Sequence, residues 1–500
     1  MRGLPFLIAL FILSCLASAG GDLRFRLQRR LPGCRGTLEN YYTGNEFDFY
    51  SRFRFQSELM QFILLTDKAR GEEWADIIAG GASWTPENYP VRSVSAGWLK
   101  ADLGTGLVMS FPGRFSSLSE LSMYKPPNSR NRIEPATSPW GCRAEPLTGI
   151  GIMLQAGGMD ISVLTALSPI DSIGGGYHRT ASELLGRNVY TEKLAAVRIS
   201  WQHLGITAAA ASRSETPEYS WFRCGSDWNA DIGSLNLAGE AAAGVDSSGT
   251  SIAAWGSLSQ EFSEFRHMLT VLRNPPGYPS DRTSPPVSRE CDIGICYGFR
   301  WKMFPRMALK AGTGTYFNQD SSLLLASLQA EYRFPWSMEA AAGIRTRTET
   351  DCASARTWLG TTWQPQNRLK ITTKIQITGW TSSPEDSSET GAGIEMKLRY
   401  TPRNWLTLDL GGAACSTDGY NSRVYAGAFS FPGEFGSTAL YNRSFLFFFG
   451  AAAELSEGFY LRGAVERKIV EDADFLGSGW EETEGNSRTE LGFQLDYAFQ

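Results

Sequence analysis

Residues 490–499 have the sequence ELGFQLDYAF. Every second residue of this stretch, from Leu491 to Phe499, is apolar or aromatic, and the residues between them are charged, polar or small. Successive side chains of a β-strand point to opposite faces of the sheet, so a period of two residues indicates a strand. The stretch is therefore predicted to be a strand with one apolar face and one polar face.

The same alternation recurs along the chain, and charged residues repeatedly occupy the polar face. Examples are residues 23–28, 47–56, 369–377, 406–411 and 459–466. A soluble β-sandwich and a transmembrane β-barrel both alternate in this way, because each has one apolar and one polar face. Alternation alone predicts an all-β fold and leaves these two architectures open.

Connection lengths and tryptophan positions favour the barrel. Short turns rich in Pro, Gly or Asn, such as 304–306 and 402–404, alternate along the chain with longer polar segments such as 274–290, 380–390 and 469–487. Short turns on one rim and long loops on the other are typical of transmembrane barrels. Tryptophan is enriched where a membrane protein meets lipid headgroups. The tryptophans expected in such a girdle are Trp98, Trp201, Trp301, Trp336, Trp363 and Trp405.

We therefore predict a large transmembrane antiparallel β-barrel of about 22–26 strands, with short periplasmic turns and long extracellular loops, in the cell outer membrane. The strand at 490–499 resembles the closing strand of bacterial outer-membrane barrels, although Gln500 follows its terminal aromatic residue. We expect this strand to pair with the first strand, Leu23–Leu31, and to be bound by the barrel assembly machinery. Outer-membrane lipid and lipopolysaccharide are the expected surroundings.

The first residues carry an export signal. Arg2 precedes an apolar run over residues 4–16, and Ala17-Ser18-Ala19 forms a small-x-small cleavage site. We predict a signal peptide over residues 1–19 and a barrel over residues 20–500. The formal net charge of −5 argues against a nucleic-acid-binding surface.

A barrel of this size encloses a wide lumen, because barrel diameter grows with strand number. An open hole of that width would be toxic to the cell, so we expect chain segments to fill it. The segments 69–89, 114–146 and 169–188 are the candidate plug loops, and we predict that at least one of them folds inward.

Two groups of residues are candidates for function. His178 lies in a long loop with Ser182 or Thr180 and with Glu183 nearby, a set that suggests a hydrolase nucleophile and base, but adjacency in sequence does not show convergence in space. The alternative is a loop ordered by hydrogen bonds and an Arg–Glu pair. Arginines of the lumen face would attract anions or belong to a balanced salt network, which we favour. The loop and lumen candidates are Tyr177, His178, Arg179, Thr180, Glu183, Arg24, Arg26, Arg52 and Arg54.

The region from Leu23 to about Glu183 resembles the barrel of the helix-hairpin-helix-associated outer-membrane proteins of Bacteroidetes-like bacteria. The matching pieces are the Arg-rich strand Leu23–Leu31, Trp98 with Gly104-Thr105-Gly106-Leu107, and the loop 176–180 with Glu183. The resemblance implies an outer-membrane barrel and does not settle its function. A helix-hairpin-helix segment is not found in this sequence.

The leading hypothesis is a channel or transport conduit of unidentified solute. The alternative is an outer-membrane scaffold or assembly component that docks partner proteins, and a third hypothesis is a barrel hydrolase. We predict that the protein is not an enzyme, and we assign no catalytic residue, no cofactor and no metal site, because the sequence lacks the motifs for them.

Overall fold

The computed structural model describes residues 20–74, 76–87, 90–110, 129–138, 143, 146–172, 176–214, 216–278, 282–283, 291–319, 321–383 and 385–499. The predicted signal peptide and Gln500 lie outside these residues. No helix in these ranges is both long and apolar enough to span a bilayer. The two short α-helices are α1 (Arg35–Leu38) and α2 (Ala181–Leu185), and a 3-10 turn covers Gly479–Glu481.

Strands make up most of the described chain. In chain order they are β1 (Gly20–Leu31), β2 (Phe47–Gln56), β3 (Met60–Lys68), β4 (Ile77–Trp84), β5 (Val91–Gly104), β6 (Arg130–Pro135), β7 (Thr148–Ala156), β8 (Met159–Ile170), β9 (Tyr190–Trp201), β10 (Leu204–Arg213), β11 (Thr216–Ile232), β12 (Leu235–Asp246), β13 (Gly249–Glu261), β14 (Phe265–Asn274), β15 (Cys291–Phe304), β16 (Met307–Phe317), β17 (Ser322–Phe334), β18 (Met338–Glu349), β19 (Cys352–Gln366), β20 (Leu369–Ser382), β21 (Ser387–Arg403), β22 (Leu406–Thr417), β23 (Val424–Ala426), β24 (Thr438–Leu440), β25 (Arg443–Ser456), β26 (Phe459–Val470), β27 (Phe475–Leu476), β28 (Thr483–Glu484) and β29 (Ser487–Phe499).

Twenty-four of these strands form a closed antiparallel barrel, and β6, β23, β24, β27 and β28 lie outside its wall. The last strand closes the wall on the first, with Leu23 opposite Tyr497, Phe25 opposite Leu495 and Leu27 opposite Phe493. The predicted fold class, strand number and closing pair are therefore confirmed.

The solvent exposure of the residues on the two faces of the wall distinguishes a membrane barrel from a soluble sandwich. On β20, Ile375 and Ile377 are 48% and 60% exposed on the outer surface, whereas Gln376 and Thr378 of the inner face are 3% and 5% exposed. A soluble fold would bury the isoleucines instead. Closed barrels satisfy every backbone group within the wall and are the β form that spans a bilayer. This chain is accordingly an outer-membrane β-barrel.

The rim that carries the N-terminus of β1 and the C-terminus of β29 has short turns, as predicted. Trp201, Trp336 and Trp405 are exposed near these turns and fit the expected girdle. Trp98 does not, because it is buried where β5 turns into the lumen. Long connections lie on the opposite rim, which we call the loop rim. Their described residues are 32–46, 69–74, 76, 171–172, 176–189, 275–278, 282–283, 418–442 and 471–486.

Two predicted loops are shorter than expected. The segment 69–89 contains the wall strand β4, in which Gly80 and Ala82 separate the large outward residues Ile78 and Trp84 and so interrupt the apolar alternation. The segment 380–390 is a connection of residues 383–386 only, because Ser, Thr and Glu residues at the ends of β20 and β21 continue the pairing beyond the apolar belt.

Strand β5 leaves the wall halfway along its length. Its first half pairs with β4 and β7, whereas Leu99–Gly104 pair with β6. Leu99, Ala101 and Leu103 are fully buried, and Ile133 of β6 packs so closely on the wall that a Cβ on Gly151 would lie 2.3 Å from it. We call residues 99–110 and 129–136 the inner segment. It lies against the lumen face of the wall, and part of it falls within the candidate plug loop 114–146.

Side chains of the wall hold the inner segment in place. Glu240 of β12 accepts hydrogen bonds from the backbone N–H of Leu107, at 3.0 Å, and from the hydroxyl of Thr105. Trp255 of β13 donates to the same hydroxyl at 2.9 Å, and Arg223 of β11 donates to the carbonyl of Val108 at 3.2 Å. That this segment closes the pore to solutes stays a prediction.

We predict that Phe493→Arg destabilises the closed barrel. Phe493 lies midway along β29 and is exposed on the lipid side, so an arginine there costs about 2–4 kcal/mol. Urea unfolding in lipid vesicles measures this loss. Thr362→Arg, on the lumen face of β19, is the control and should cost less than about 1 kcal/mol. An equal loss in both variants would contradict the assignment of the faces.

We also predict that Gly104→Ala loosens the inner segment. Gly104 has φ +80°, and its Cβ would lie 3.1–3.3 Å from charged atoms of Glu240, Arg198 and Asp227. A side chain in the left-handed region costs about 1–2 kcal/mol. Limited proteolysis of the folded barrel should therefore cut the inner segment faster. Gly256→Ala, where nothing lies within 4 Å, should leave the rate unchanged. Equal protection of both variants would refute this packing.

Candidate functional site

His178 lies at the centre of a buried cluster on the loop rim. Its side chain is 6% exposed; Nδ1 lies 2.8 Å from a carboxylate oxygen of Asp76, and Nε2 lies 3.0 Å from one of Asp171. A ring with a carboxylate at each nitrogen donates to both only when it is protonated. The cluster thus joins the 69–76 connection to the 171–189 connection through one imidazolium.

The surroundings of His178 favour its charged form. Burial alone would lower the pKa, but the hydrogen bonds to Asp171 and Asp76 and the charges of both carboxylates raise it from 6.5 to about 9. The imidazolium is therefore the resting form at neutral pH. A neutral imidazole that accepts a proton from a nucleophile is not what this geometry provides.

Arg143 extends the cluster toward the barrel wall. Its guanidinium lies 2.6 Å from Asp67 of β3 and 2.5 Å from the buried Glu72. Glu72 also accepts the backbone N–H of Ala69, at 2.6 Å, and that of His178, at 3.1 Å. Burial opposes the charge of Arg143, but the carboxylates beside it keep its pKa above the ordinary value.

The remaining loop candidates have structural roles. Thr180 caps α2 by accepting the N–H of Glu183, whose carboxylate accepts the N–H of Thr180 in return. Arg179 lies 2.6 Å from Glu481 and packs on the rings of Tyr42 and Tyr177. The expected alternative, a loop ordered by hydrogen bonds and an Arg–Glu pair, describes this arrangement, and no nucleophile–base pair is formed among these residues.

Glu72, Asp76 and His178 also offer three ligand atoms within 4.8 Å of one another. The guanidinium of Arg143 already lies on Glu72, and that of Arg187 lies 3.3 Å from Asp76. A cation would have to displace these positive groups and the imidazolium proton. The donor set therefore suits a salt network better than a metal ion.

The four lumen arginines are each bound to a carboxylate. Arg24 lies 2.5 Å from Asp496, and Arg26 lies 3.0 Å from Glu434. Asp22 receives two of them, at 2.6 Å each; these are Arg52 and Arg54. These four ion pairs correspond to the balanced salt network that we favour from the sequence.

Residues 418–442, which we call the lumen hairpin, are a component that the sequence analysis missed. Val424, Ala426 and Leu440 pack with Leu446 on the inner face of β25. The tip lies against β29, where a Cβ on Gly492 would be 2.4 Å from the ring of Phe431. Residues 429–435 have the sequence FSFPGEF, and the two phenylalanines that alternate at its start are a signal that could have indicated a packed segment rather than an open loop.

Two contacts hold the tip of the lumen hairpin to the first strand. Arg24 donates to the carbonyl of Pro432 at 2.7 Å, and Arg26 pairs with Glu434. On the other side, the N–H of Phe429 donates to Glu466 of β26 at 2.9 Å. The lumen arginines therefore position this hairpin as well as balancing charge.

We predict that His178 titrates near pH 9. Its protonation stabilises the loop cluster, so this stabilisation is fully present below about pH 6.5 and is lost as the pH rises through about 9. Carbon-13 NMR of the histidines in detergent micelles, of which there are three, measures the titration directly.

Proteolysis of the 171–189 connection between pH 6 and pH 10 provides the second measurement. Cleavage should accelerate at high pH in the unmodified protein, and His178→Gln should be cleaved rapidly at every pH. His267→Gln, in β14, is the control and should behave like the unmodified protein. A histidine resonance for His178 that titrates near 6.5 would refute the prediction.

Neither a protein-family model nor a curated protein sequence matches this chain. Among solved structures, it is similar to the siderophore receptor PirA from Pseudomonas aeruginosa, at 9% identity and a TM-score of 0.45, over 97% of this chain and 80% of that one. It is also similar to the FrpB iron transporter from Neisseria meningitidis, at 8% identity and a TM-score of 0.44, over 98% of this chain and 84% of that one.

A third similar structure is the anion-selective porin from Comamonas acidovorans, at 13% identity and a TM-score of 0.34, over 62% of this chain and 100% of that one. The fold assignment rests on the strand pairing described above. Membership of the helix-hairpin-helix-associated family stays a prediction, and the class of the protein is that of a large outer-membrane β-barrel.

Proposed function

We propose that the protein is a transport conduit whose lumen is narrowed by its own chain. The observation that carries this proposal is a 24-strand wall with two chain segments, the inner segment and the lumen hairpin, bound to different sides of its inner face. A wall of this size encloses more space than wall side chains alone can fill. The two segments therefore set the width of the passage.

The part of the wall that these segments leave uncovered supports the same proposal. On β18 the inward residues Arg345 and Arg347 are exposed, and on β17 Glu331 and Arg333 are at least partly exposed. Charged side chains that face the lumen and contact water are typical of an aqueous channel. The exposed apolar residues of the same strands, such as Leu328 and Ile344, lie on the lipid side.

Substitutions in the lumen hairpin can loosen it and so test the proposal. Phe431 is buried against β29, and Glu434 is held by Arg26. We predict that Phe431→Ala/Glu434→Gln frees the tip and increases single-channel conductance in planar bilayers severalfold over the small conductance of the unmodified protein. The wall itself is unchanged, because neither residue belongs to a wall strand.

The matched control is Phe475→Ala/Glu484→Gln, in the 471–486 connection, where Phe475 is exposed. It should conduct like the unmodified protein. Heat modifiability on a gel verifies that each variant is a closed barrel. Absence of conductance in every closed variant would overturn the conduit and leave the partner-docking scaffold as the hypothesis to pursue.

A further inference from the structure

Three arginines meet on the lumen side of β18, β19 and the lumen hairpin. They are Arg345, Arg356 and Arg423, which we call the basic cluster. Arg345 and Arg356 are direct partners in the β18–β19 ladder. Arg345 and Arg423 both lie close enough to Arg356 to repel its charge. Like charges in direct opposition destabilise a sheet, so this arrangement has a cost that the fold alone does not explain.

Tyr425 connects the hairpin to this part of the wall. The guanidinium of Arg356 lies 4.9 Å from the centre of the Tyr425 ring, and Nε of Arg423 donates to the Tyr425 hydroxyl at 3.0 Å. The backbone carbonyl of Tyr425 accepts a hydrogen bond from Gln376 of β20 at 2.6 Å. These contacts hold two of the three guanidinium groups beside one ring, in fixed positions.

Carboxylates do not balance this cluster. Throughout the described ranges, none lies within 4.0 Å of the guanidinium nitrogens of Arg345, Arg356 or Arg423. Glu395 is bound to Lys397 at 3.2 Å, and Glu389 accepts hydrogen bonds from Asn421 and from the N–H of Ser422. The basic cluster therefore differs from the lumen arginines of β1 and β2, which all have carboxylate partners.

Arg356 also has an unused donor. Its Nε atom is shielded from solvent and makes no hydrogen bond to any part of the chain that the structure describes. A buried donor without an acceptor destabilises the folded state. Guanidinium groups bind carboxylate and phosphate oxygens through parallel N–H donors. An oxyanion bound to the basic cluster would relieve the repulsion between the three charges.

We propose that the basic cluster binds small oxyanions that enter the lumen, such as phosphate or a carboxylate, and makes the passage selective for anions. This inference rests on the proposed conduit, since it names the class of solute. Rings or clusters of Arg and Lys have this effect in anion and phosphate pores. The arginines of β1 and β2 do not contribute in the same way, because their charge is neutralised locally.

The test compares two triple variants that remove the same charge. Arg345→Gln/Arg356→Gln/Arg423→Gln removes the basic cluster. Arg52→Gln/Arg399→Gln/Arg462→Gln, the control, removes arginines that are each bound to a carboxylate. Reversal potentials in a potassium chloride gradient should show the anion-to-cation permeability ratio falling by about tenfold in the first variant. The control should stay within about twofold of the unmodified protein.

Inorganic phosphate and succinate separate the two sources of oxyanion. Either of them, at millimolar concentration, should block the chloride current of the unmodified protein and of the control, and neither should block that of the basic-cluster variant. The more potent blocker identifies the preferred class. A chloride current that both anions leave unchanged in all three proteins would overturn the site while leaving the conduit intact.

Calorimetry with inorganic pyrophosphate tests the site independently of conduction. The unmodified protein and the control in detergent micelles should bind pyrophosphate, and the basic-cluster variant should bind it at least about tenfold more weakly. Binding that is lost only in this variant, in a protein that does not conduct, would overturn the conduit and retain the site. Equal binding by all three proteins, or none, would overturn the site.

Discussion

Closure of the wall is the constraint on which the rest of this structure depends. In the hydrocarbon core no water is present to pair with backbone N–H and C=O groups, so an open sheet edge would be prohibitively costly. The pairing of β1 with β29 removes the last two edges. Everything else in the protein is arranged on one side or the other of the surface that this pairing completes.

Closure also encloses a lumen, in which the charged side chains of the inner face need partners. A wall of 24 strands has an inner face turned away from lipid, and that face carries charged residues such as Arg24, Arg345 and Arg356. Near the closing strands, these charges are satisfied by carboxylates and by the lumen hairpin, as in Arg24 with Asp496 and Pro432. At β18 and β19, no carboxylate of the described residues pairs with Arg345 or Arg356. The arginines near the closing strands therefore stabilise the fold, whereas Arg345 and Arg356 belong to the cluster that we propose to bind solute.

Strands with large outward side chains were readily predicted, because an aromatic or branched residue at every second position strongly indicates a β-strand. Strand β4 was missed because Gly80 and Ala82 lie between its two large outward residues, Ile78 and Trp84, and interrupt the alternation. Trp98 was assigned to the girdle because it is a tryptophan near a strand end, yet β5 turns inward there and buries it. The turn depends on Gly97, with φ +101°, and local sequence does not distinguish this glycine from those of ordinary turns.

The alternation in ELGFQLDYAF and in its counterparts determined that the chain is all-β with two-faced strands, because the period of a strand and the polarity of its two faces are local properties. The connection lengths and tryptophan positions then favoured a membrane barrel over a sandwich. The side-chain pairing in the lumen was decided only by tertiary structure. Gly492, a small residue in the polar face of that same stretch, accommodates Phe431 from a hairpin far away in sequence. Asp496 of that stretch binds Arg24 and Arg462, and both of these arginines are also distant from it along the chain. Which charges find partners depends on strand order and on the path of two inserted segments, and these are set by contacts between residues that are distant along the chain.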